Sequence, residues 1–318
     1  MNVISGQSVG GRPATIPVRR RSVARREAIW GYVFISPWLI GFFAFSLGPL
    51  LSVLYFSLTK YSVLAPPVWV GFENYLQIFT GDPLFWTSLY NTVYYVVFAV
   101  PLEVVLAFVI ALLLNGKIRG LAVYRTLFYV PVVVPSVASS VLWVWLLDPQ
   151  LGILKFLLSL VGVSSPDWLQ SEIWSKPAIV SLGVWYLGTY MIIYLAGLQG
   201  IPRHLYEAAA IDGASWWSKL WTVTIPMLTP TIFFNLLMGI INSFQVFAFA
   251  YIMTNGGPLN STLFYVLYIY QHAFQYFEMG YATALSTILL LIVLAATLLV
   301  MRWSQSWVYY EGQTEKSP

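Results

Sequence analysis

The chain has 318 residues, of which 59% are apolar and only 9% are charged. A soluble domain carries roughly 25% charged residues, so this composition excludes an ordinary soluble globular protein. Cysteine is absent, which excludes disulfides, cysteine nucleophiles and cysteine-ligated metals. The composition therefore predicts a membrane protein, with lipid as the solvent for most of the chain.

Residues 1–29 form a basic segment that we expect to be a disordered cytosolic tail. It contains six arginines, five of which lie between Arg19 and Arg26. The apolar run that follows, from Trp30 to Leu58, is longer than the roughly 7–15 apolar residues of a signal peptide. No convincing small-residue cleavage site follows it. We therefore predict a retained first membrane span.

Six apolar windows are long enough to cross a bilayer, which requires about 20 residues in a helix. Two further apolar stretches are not. Leu151–Val163 is short and contains Lys155, which predicts an interfacial helix, and Leu263–Phe277 is rich in Tyr and Phe, which favours the headgroup boundary. The sequence thus predicts an all-α membrane protein with six transmembrane helices, in the windows 31–57, 88–114, 122–147, 177–200, 229–254 and 281–303.

The basic residues are sorted between the two sides of the predicted spans. Thirteen of the 16 Lys and Arg residues fall in the N-terminal tail, the 115–125 and 201–228 loops and the C-terminus. Since positively charged loops remain in the cytosol, both termini and the 201–228 loop are expected to be cytosolic. The same sorting accounts for an isoelectric point near 9.1 without nucleic-acid binding. We predict one six-helix membrane domain over 30–306 and a cytosolic C-terminal tail over 307–318.

The polar 201–228 loop has the pattern of a helix, a turn and a second helix. Pro202 suits a first helical turn, and Gly213 stands where the end of a helix from Arg203 to Asp212 requires a left-handed residue. Ser215 can cap the next short helix. These residues alone leave two interpretations open: a rigid docking surface for a separate protein, or an interfacial loop that anchors its tryptophans at the membrane surface.

The sequence contains no catalytic or metal-binding constellation. It has no phosphate-binding loop of the G-x4-G-K-[ST] type, no H-E-x-x-H and no G-x-S-x-G. Energy from ATP would therefore have to come from a partner, so we predict that the chain is not an enzyme. His204 and His272 are expected at a loop surface and at the membrane interface rather than at a metal, and no cofactor is expected.

Glu103 is the one ionisable residue deep in a predicted span. An intramembrane acid indicates a functional role by default, such as a proton or cation relay. A relay, however, requires a second acid or a basic partner within the spans, and the sequence provides neither. The sequence favours a structural role for Glu103 in the helix bundle, with the relay as the alternative.

The 201–228 loop resembles the EAA loop of the permease subunits of binding-protein-dependent ABC importers. That loop follows the pattern E-A-A-x3-G-x9-I-x-L-P, and here Val223 and Ile225 replace the usual Ile and Leu. The resemblance implies that the loop inserts into a cleft of an ATP-hydrolysing subunit. It assigns the coupling role to Glu207, Ala208, Ala209, Asp212, Gly213 and Pro226.

Other motifs resemble the carbohydrate-type permeases of the maltose and glycerol-3-phosphate class. They include Phe34–Phe42 in the first span, Gly71–Tyr75 before the second and Gly256–Pro258 before the last. The resemblance covers nearly the whole chain beyond the tail. It implies a bacterial inner-membrane location, a carbohydrate substrate and three kinds of partner: a second homologous permease, two ATP-binding subunits and an extracellular sugar-binding protein.

A sugar pathway requires polar groups that pair with hydroxyls and aromatic faces that stack on a sugar ring. The fourth and fifth predicted spans provide both, and the spacing of Asn235, Gly239, Asn242 and Ser243 places them on one helical face. In related permeases this part of the two spans lines the sugar site. The alternative is that Asn and Ser join helices together. The candidate substrate-binding residues are Trp185, Thr189, Gly239, Asn242 and Ser243.

Two other classes of function compete with an importer subunit. A secondary sugar transporter driven by an ion gradient predicts internal inverted repeats and a charged relay, and we find neither in the sequence. A membrane enzyme or scaffold lacks a catalytic constellation. The sequence favours the permease subunit of an ATP-driven, binding-protein-dependent sugar importer, with the secondary transporter as the alternative.

Overall fold

The computed structural model describes residues 20–116 and 119–309, with side chains from Arg25 onward. Within these residues, four helices are long and apolar enough to cross a membrane, and the number rises to six if each of two bent helix pairs is one span. The predicted fold class, a helical membrane protein, is confirmed at this level. The four long helices are Arg25–Phe56, Pro83–Leu114, Trp216–Ser243 and Met279–Ser304.

The chain divides into two compact units, and the division falls after Ser52. Helix α1 begins at Arg20, inside the segment 1–29 that the sequence predicted as a tail, and residues 1–19 lie outside the described residues. Apolar side chains along this first candidate span are exposed, which is typical of a helix that lipid surrounds. Its parts are α1 (Arg20–Phe42), a π-helical turn (Phe43–Leu47) and α2 (Gly48–Phe56).

A short antiparallel hairpin follows the first candidate span, although the sequence predicted an all-α chain. Strand β1 (Thr59–Ser62) pairs with β2 (Ala65–Trp69), and Thr59 lies opposite Trp69. Helix α3 (Glu73–Thr80) comes next. The buried side-chain amide of Asn74 donates to the carbonyl oxygens of Ser57 and Thr59, each at 2.9 Å. These bonds fix the hairpin to α3.

The remaining elements of the second unit are helices and two further π-helical turns. In chain order they are α4 (Pro83–Leu114), α5 (Leu121–Val133), α6 (Ser136–Leu146), α7 (Ile153–Leu160), α8 (Ser175–Trp185), α9 (Gly188–Gly200), α10 (Arg203–Ile211), α11 (Trp216–Lys219), a π-helical turn (Leu220–Thr224), α12 (Ile225–Ser243), α13 (Ala248–Met253), α14 (Tyr265–Tyr270), a π-helical turn (Gln271–Gln275) and α15 (Met279–Ser304).

Helix α4 is the central helix of this unit, and α8, α9, α12 and α14 pack against it. Asp82 caps its start by accepting the backbone N–H groups of Leu84 at 2.9 Å and Phe85 at 3.2 Å. Buried alanines, among them Ala99 and Ala107, lie along its length. Small side chains let helix backbones approach closely, so α4 can contact several neighbours at once.

The third and fourth predicted spans are bent rather than straight. Helices α5 and α6 meet at 102°, and α8 and α9 meet at 42°. Pro135 lies between α5 and α6, where its missing N–H removes a helical hydrogen bond. At the second bend, a Cβ on Gly188 would collide with the carbonyl oxygen of Phe128, so this glycine allows α9 to pack closely on α5.

The fifth predicted window, 229–254, is displaced toward the N-terminus. The helix already begins at Trp216, continues through the π-helical turn into α12 and ends at Ser243. The rest of the window forms the separate helix α13. The physical reason is that the second helix of the polar 201–228 loop joins the span without a break.

The first half of the 263–277 segment, predicted to lie at the headgroup boundary, is buried in the protein. Leu263, Phe264, Tyr265 and Leu267 are almost wholly buried in the core of the unit. The Tyr265 backbone N–H donates to Thr92 Oγ1 at 2.8 Å, which ties α14 to α4. Phe264, Tyr265 and Tyr268 therefore fill the protein interior, whereas Phe274, Tyr276 and Phe277 are exposed.

The described end of the chain, 305–309, packs on the start of α12. The Tyr309 N–H donates to Thr229 Oγ1 at 2.9 Å, and the ring of Trp307 lies against Phe233. Of the predicted C-terminal tail 307–318, residues 310–318 lie outside the described residues.

Candidate functional site

A cavity of about 790 Å³ opens between α4, α8, α9, α12 and the segment that joins α12 to α13. This volume falls in the range of roughly 300–1,000 Å³ that is usual for small-molecule sites. Its wall combines aromatic rings with hydroxyl and amide groups. The aromatic and polar residues of the wall include Tyr95, Tyr186, Tyr190, Phe247, Ser136, Thr189, Asn242, Ser243 and Gln245.

Three of the five predicted substrate residues lie in this wall. Thr189 and Asn242 are exposed to the cavity, and the mostly buried Ser243 borders it. Thr189 comes from α9 and the other two from the end of α12. The structure thus brings together polar residues from the middle of the fourth and fifth predicted windows.

The other two predicted substrate residues lie outside the cavity lining. Trp185 packs against Trp143, with ring centroids 6.2 Å apart. Gly239 faces α4 and α9, since a Cβ there would lie 3.1 Å from a methyl carbon of Val100 and 3.7 Å from Tyr190 Oη. Both positions shape the contacts between helices behind the wall.

Asn235 joins helices instead of lining the cavity. It is fully buried, and its Nδ2 donates to the Tyr190 carbonyl oxygen at 3.2 Å. The polar face predicted for α12 is therefore divided: Asn242 and Ser243 reach the cavity, whereas Asn235 and Gly239 contact neighbouring helices.

The sequence did not place Glu103 and Tyr95 in a site, yet both line the cavity. Glu103 is 6% exposed and lies on the same helix as Tyr95, α4. The sequence signal for Glu103 was its position as an acid within a span. To predict that its side chain borders the cavity, one would need to know which face of α4 packs against α8.

The polar 201–228 loop forms the predicted helix, turn and helix. Gly213 ends α10 with a left-handed backbone, φ +74°, and Ser215 Oγ accepts the Ser218 N–H at 3.2 Å as the cap of α11. Pro202 precedes the first helical residue of α10, one position before its predicted place in the first turn. Glu207, Ala208 and Asp212 are exposed, and Ala209 is half-buried.

A cluster centred on Asp82 joins three helices near the start of α4. Asp82 Oδ2 accepts the hydroxyl of Tyr268 at 2.6 Å and that of Tyr281, while Oδ1 caps α4. Burial, together with the bond to Asp82, raises the pKa of the Tyr268 phenol well above its usual value.

Nearby, His272 Nδ1 lies 2.8 Å from a carboxylate oxygen of Glu278. No group of three or more potential metal ligands occurs among residues 20–116 and 119–309.

Comparisons with known proteins cover most of the chain. Residues 88–308 match the family described as "Binding-protein-dependent transport system inner membrane component". The chain is 41% identical to the probable ABC transporter permease protein YesP of Bacillus subtilis, over 96% of this chain and 99% of that protein. It is 34% identical to the trehalose/maltose transport system permease protein MalF of Thermococcus litoralis, over 87% of this chain and 94% of that one.

A solved structure shares the fold. It is a chain of a bacterial ABC transporter involved in the import of the acidic polysaccharide alginate. The TM-score is 0.77 at 24% identity, and the match covers 91% of this chain and 99% of the other.

Proposed function

The chain belongs to the family of binding-protein-dependent transport system inner membrane components, and from this premise we propose that it forms half of the translocation pathway of an ATP-driven sugar importer. As a permease subunit, it is a transport component rather than an enzyme. One observation carries the proposal. Helix α12 borders an aromatic and hydroxyl-lined cavity at one end, and at the other it continues without a break into an exposed helix-turn-helix.

In this proposal the chain crosses the membrane six times, with each bent pair counted as one span. Both termini and the α10–α11 loop face the cytosol, because the basic residues concentrate there. The proposed organisation is a basic tail over 1–29, a membrane domain over 30–306 and a cytosolic tail over 307–318.

The α10–α11 loop docks into an ATP-hydrolysing partner. Glu207 offers an exposed carboxylate, and Ala208 and Ala209 let a partner backbone approach closely. Asp212 and Gly213 form the turn, and Pro226 lies in the first turn of α12. The sequence has no phosphate-binding loop, so the partner supplies the hydrolysis.

The cavity receives a sugar, the substrate class printed in the name of the trehalose/maltose relative. Thr189, Asn242 and Ser243 contact its hydroxyls, and aromatic side chains such as Tyr186 stack on its apolar faces. Trp185 and Gly239 contribute by fixing the helices behind the wall. Closure of the ATPases pushes α10 and α11, and α12 transmits the movement to the cavity.

The complete importer requires further subunits. They are a second homologous permease, two ATP-binding subunits and an extracellular sugar-binding protein. No nucleic acid and no cofactor takes part.

Purification of the tagged chain, gently solubilised from its native membrane, tests the assembly. We expect a phosphate-loop ATPase and a second permease to co-purify, as identified by mass spectrometry. A chain that repeatedly emerges alone and monodisperse would contradict the proposal and favour a gradient-driven transporter.

Substitution of Glu207 tests the docking surface. We expect Glu207→Lys to abolish uptake and ATPase co-purification while the chain still inserts into the membrane. The matched control is Glu172→Lys, an exposed acid outside the loop, which should retain both. Normal uptake by Glu207→Lys would exclude the coupling role.

A further inference from the structure

Glu103 lies in the cavity wall, and no partner for its carboxyl group occurs in the part of the chain that the structure describes. Its side chain is 94% buried, yet it borders the cavity. Among residues 25–116 and 119–309, no side chain or backbone group forms a hydrogen bond or an ion pair with its carboxyl group. A structural acid in a helix bundle would be expected to accept hydrogen bonds from neighbouring protein groups, whereas this carboxyl group opens onto the cavity.

The backbone opposite Glu103 leaves room for this acid. A Cβ on Gly183 would lie 3.1 Å from Glu103 Oε1 and would collide with Tyr95 Oη. The carboxyl and the phenol therefore occupy the space that a larger residue would fill. Both groups border the cavity at the position where α4 passes α8.

The charge of the lining restricts what this acid can pair with. Among the described residues that line the cavity, Glu103 is the one with a carboxyl group, and none is a Lys, Arg or His. The remaining lining groups are phenols, hydroxyls, amides and apolar side chains. In its ionised form, Glu103 would therefore repel an anionic substrate, with no cation beside it among the described lining residues.

We propose that Glu103 is a specificity-determining residue, whose carboxyl accepts hydroxyl hydrogen bonds from an uncharged sugar and disfavours anionic sugars. The proposal rests on the proposed function, because it names the substrate class of the same cavity. It replaces the structural role that the sequence favoured for Glu103. Bonds from hydroxyl groups to a carboxylate are charge-assisted and stronger than neutral ones, so one residue can contribute markedly to selection.

The natural absence of cysteine allows a direct test of the cavity's charge. The variant Asn242→Cys places a thiol in the cavity wall of the complete importer in membranes. Its rate of reaction is measured with two methanethiosulfonate reagents of similar size, one with a sulfonate and one with a trimethylammonium group. Each rate is divided by the rate of the same reagent with a free thiol in solution, and the cationic rate is then divided by the anionic one. We expect this rate ratio to be at least about ten, because a carboxylate in the cavity repels the anionic reagent.

In the Asn242→Cys background, Glu103→Gln should reduce the ratio of cationic to anionic reaction rates about tenfold. The amide keeps the shape of the side chain and removes its charge. A control thiol at Leu64→Cys, in the exposed turn of the hairpin, should give a ratio that Glu103→Gln does not change. If Glu103→Gln is poorly inserted, Glu103→Asn replaces it and should reduce the ratio in the same way, whereas Glu103→Asp should retain the ratio. An unchanged ratio in Glu103→Gln would overturn the proposal.

Uptake provides the second measurement, with maltose as a neutral probe and a maltose-derived uronic acid as its anionic counterpart. The preference is the rate of maltose uptake divided by the rate of uronic acid uptake, and we expect Glu103→Gln to lower it about tenfold. An unchanged preference contradicts the role of Glu103. Failure of the unmodified importer to move any sugar contradicts the proposed function instead, while the thiol reactivity still reports on Glu103.

Discussion

The hydroxyl of Tyr206 lies 3.0 Å from Thr224 Oγ1. This contact joins α10 to the π-helical turn that leads into α12, so α10 is tied to the span by more than the turn at Gly213. Thr224 is buried, and its Oγ1 also lies 3.3 Å from the Lys219 carbonyl oxygen. A π-helical turn often occurs at a functional position, and here it lies between the α10–α11 loop and the cavity.

Loss of the Tyr206–Thr224 bond should weaken coupling. A buried hydrogen bond contributes about 0.5–1.5 kcal/mol, so we expect Tyr206→Phe and Thr224→Val to leave the chain folded. Each should lower the number of sugars imported per ATP hydrolysed. The double variant should be no worse than either single one, since both remove the same bond.

The control for this pair is Thr222→Val, in the same π-helical turn, where the exposed hydroxyl donates to the Ser218 carbonyl oxygen at 2.8 Å. The ratio of imported sugar to hydrolysed ATP in proteoliposomes provides the measurement. If Tyr206→Phe imported as much sugar per hydrolysed ATP as the unmodified chain, the bond would have no role in coupling.

Two asparagines of α12 should have different roles. Asn242 is exposed to the cavity, so Asn242→Ala should lower the rate of sugar uptake without lowering the unfolding temperature. Asn235 is fully buried and bonds to the Tyr190 carbonyl, so Asn235→Ala should destabilise the chain by about 1–3 kcal/mol. Thermal unfolding in detergent and uptake are measured on both variants, and the reverse pattern would refute this assignment.

Asp82 should be a stability residue. It accepts two phenol hydroxyls and two backbone N–H groups from α4, α14 and α15. Since hydrogen bonds to a charged acceptor contribute about 1.5–3 kcal/mol, Asp82→Asn should lower the unfolding temperature clearly. The exposed Asp167 provides the control, because Asp167→Asn should have little effect. Equal unfolding temperatures for the two variants would contradict the role of Asp82.

Close backbone packing should make Gly280 irreplaceable. A Cβ there would collide with the carbonyl oxygen of Thr59 and lie 2.9 Å from the Tyr61 nitrogen, both in β1. Backbone atoms cannot rotate away, so Gly280→Ala should cost about 1–3 kcal/mol. Gly200, at the end of α9, has no heavy atom within 4 Å of its Cβ position, so Gly200→Ala should be tolerated. The two variants are compared by their unfolding temperatures. An unchanged unfolding temperature for Gly280→Ala would show that β1 moves aside.

Features that depend on a few neighbouring residues were predictable from the sequence. The left-handed Gly213 and the cap at Ser215 are local, because each acts on backbone groups a few residues away. The apolar windows likewise predicted a helical membrane protein, because the length of an apolar run reports directly on the thickness of the bilayer.

Features that depend on distant contacts were not predictable. Asn235 and Asn242 share a helical face, yet the positions of α4 and α9 decide that only Asn242 reaches the cavity. The direction of Glu103 depends on the space beside Gly183, on another helix. The 102° bend between α5 and α6 and the burial of 263–268 also arise from packing. No local periodicity contains that information.

The most direct measurement of the central claim is sugar uptake by proteoliposomes that contain the complete importer and its loaded binding protein. We predict that uptake requires ATP and the binding protein, persists without ion gradients and ceases in Glu207→Lys. Uptake that follows an ion gradient in the absence of ATP would contradict the account.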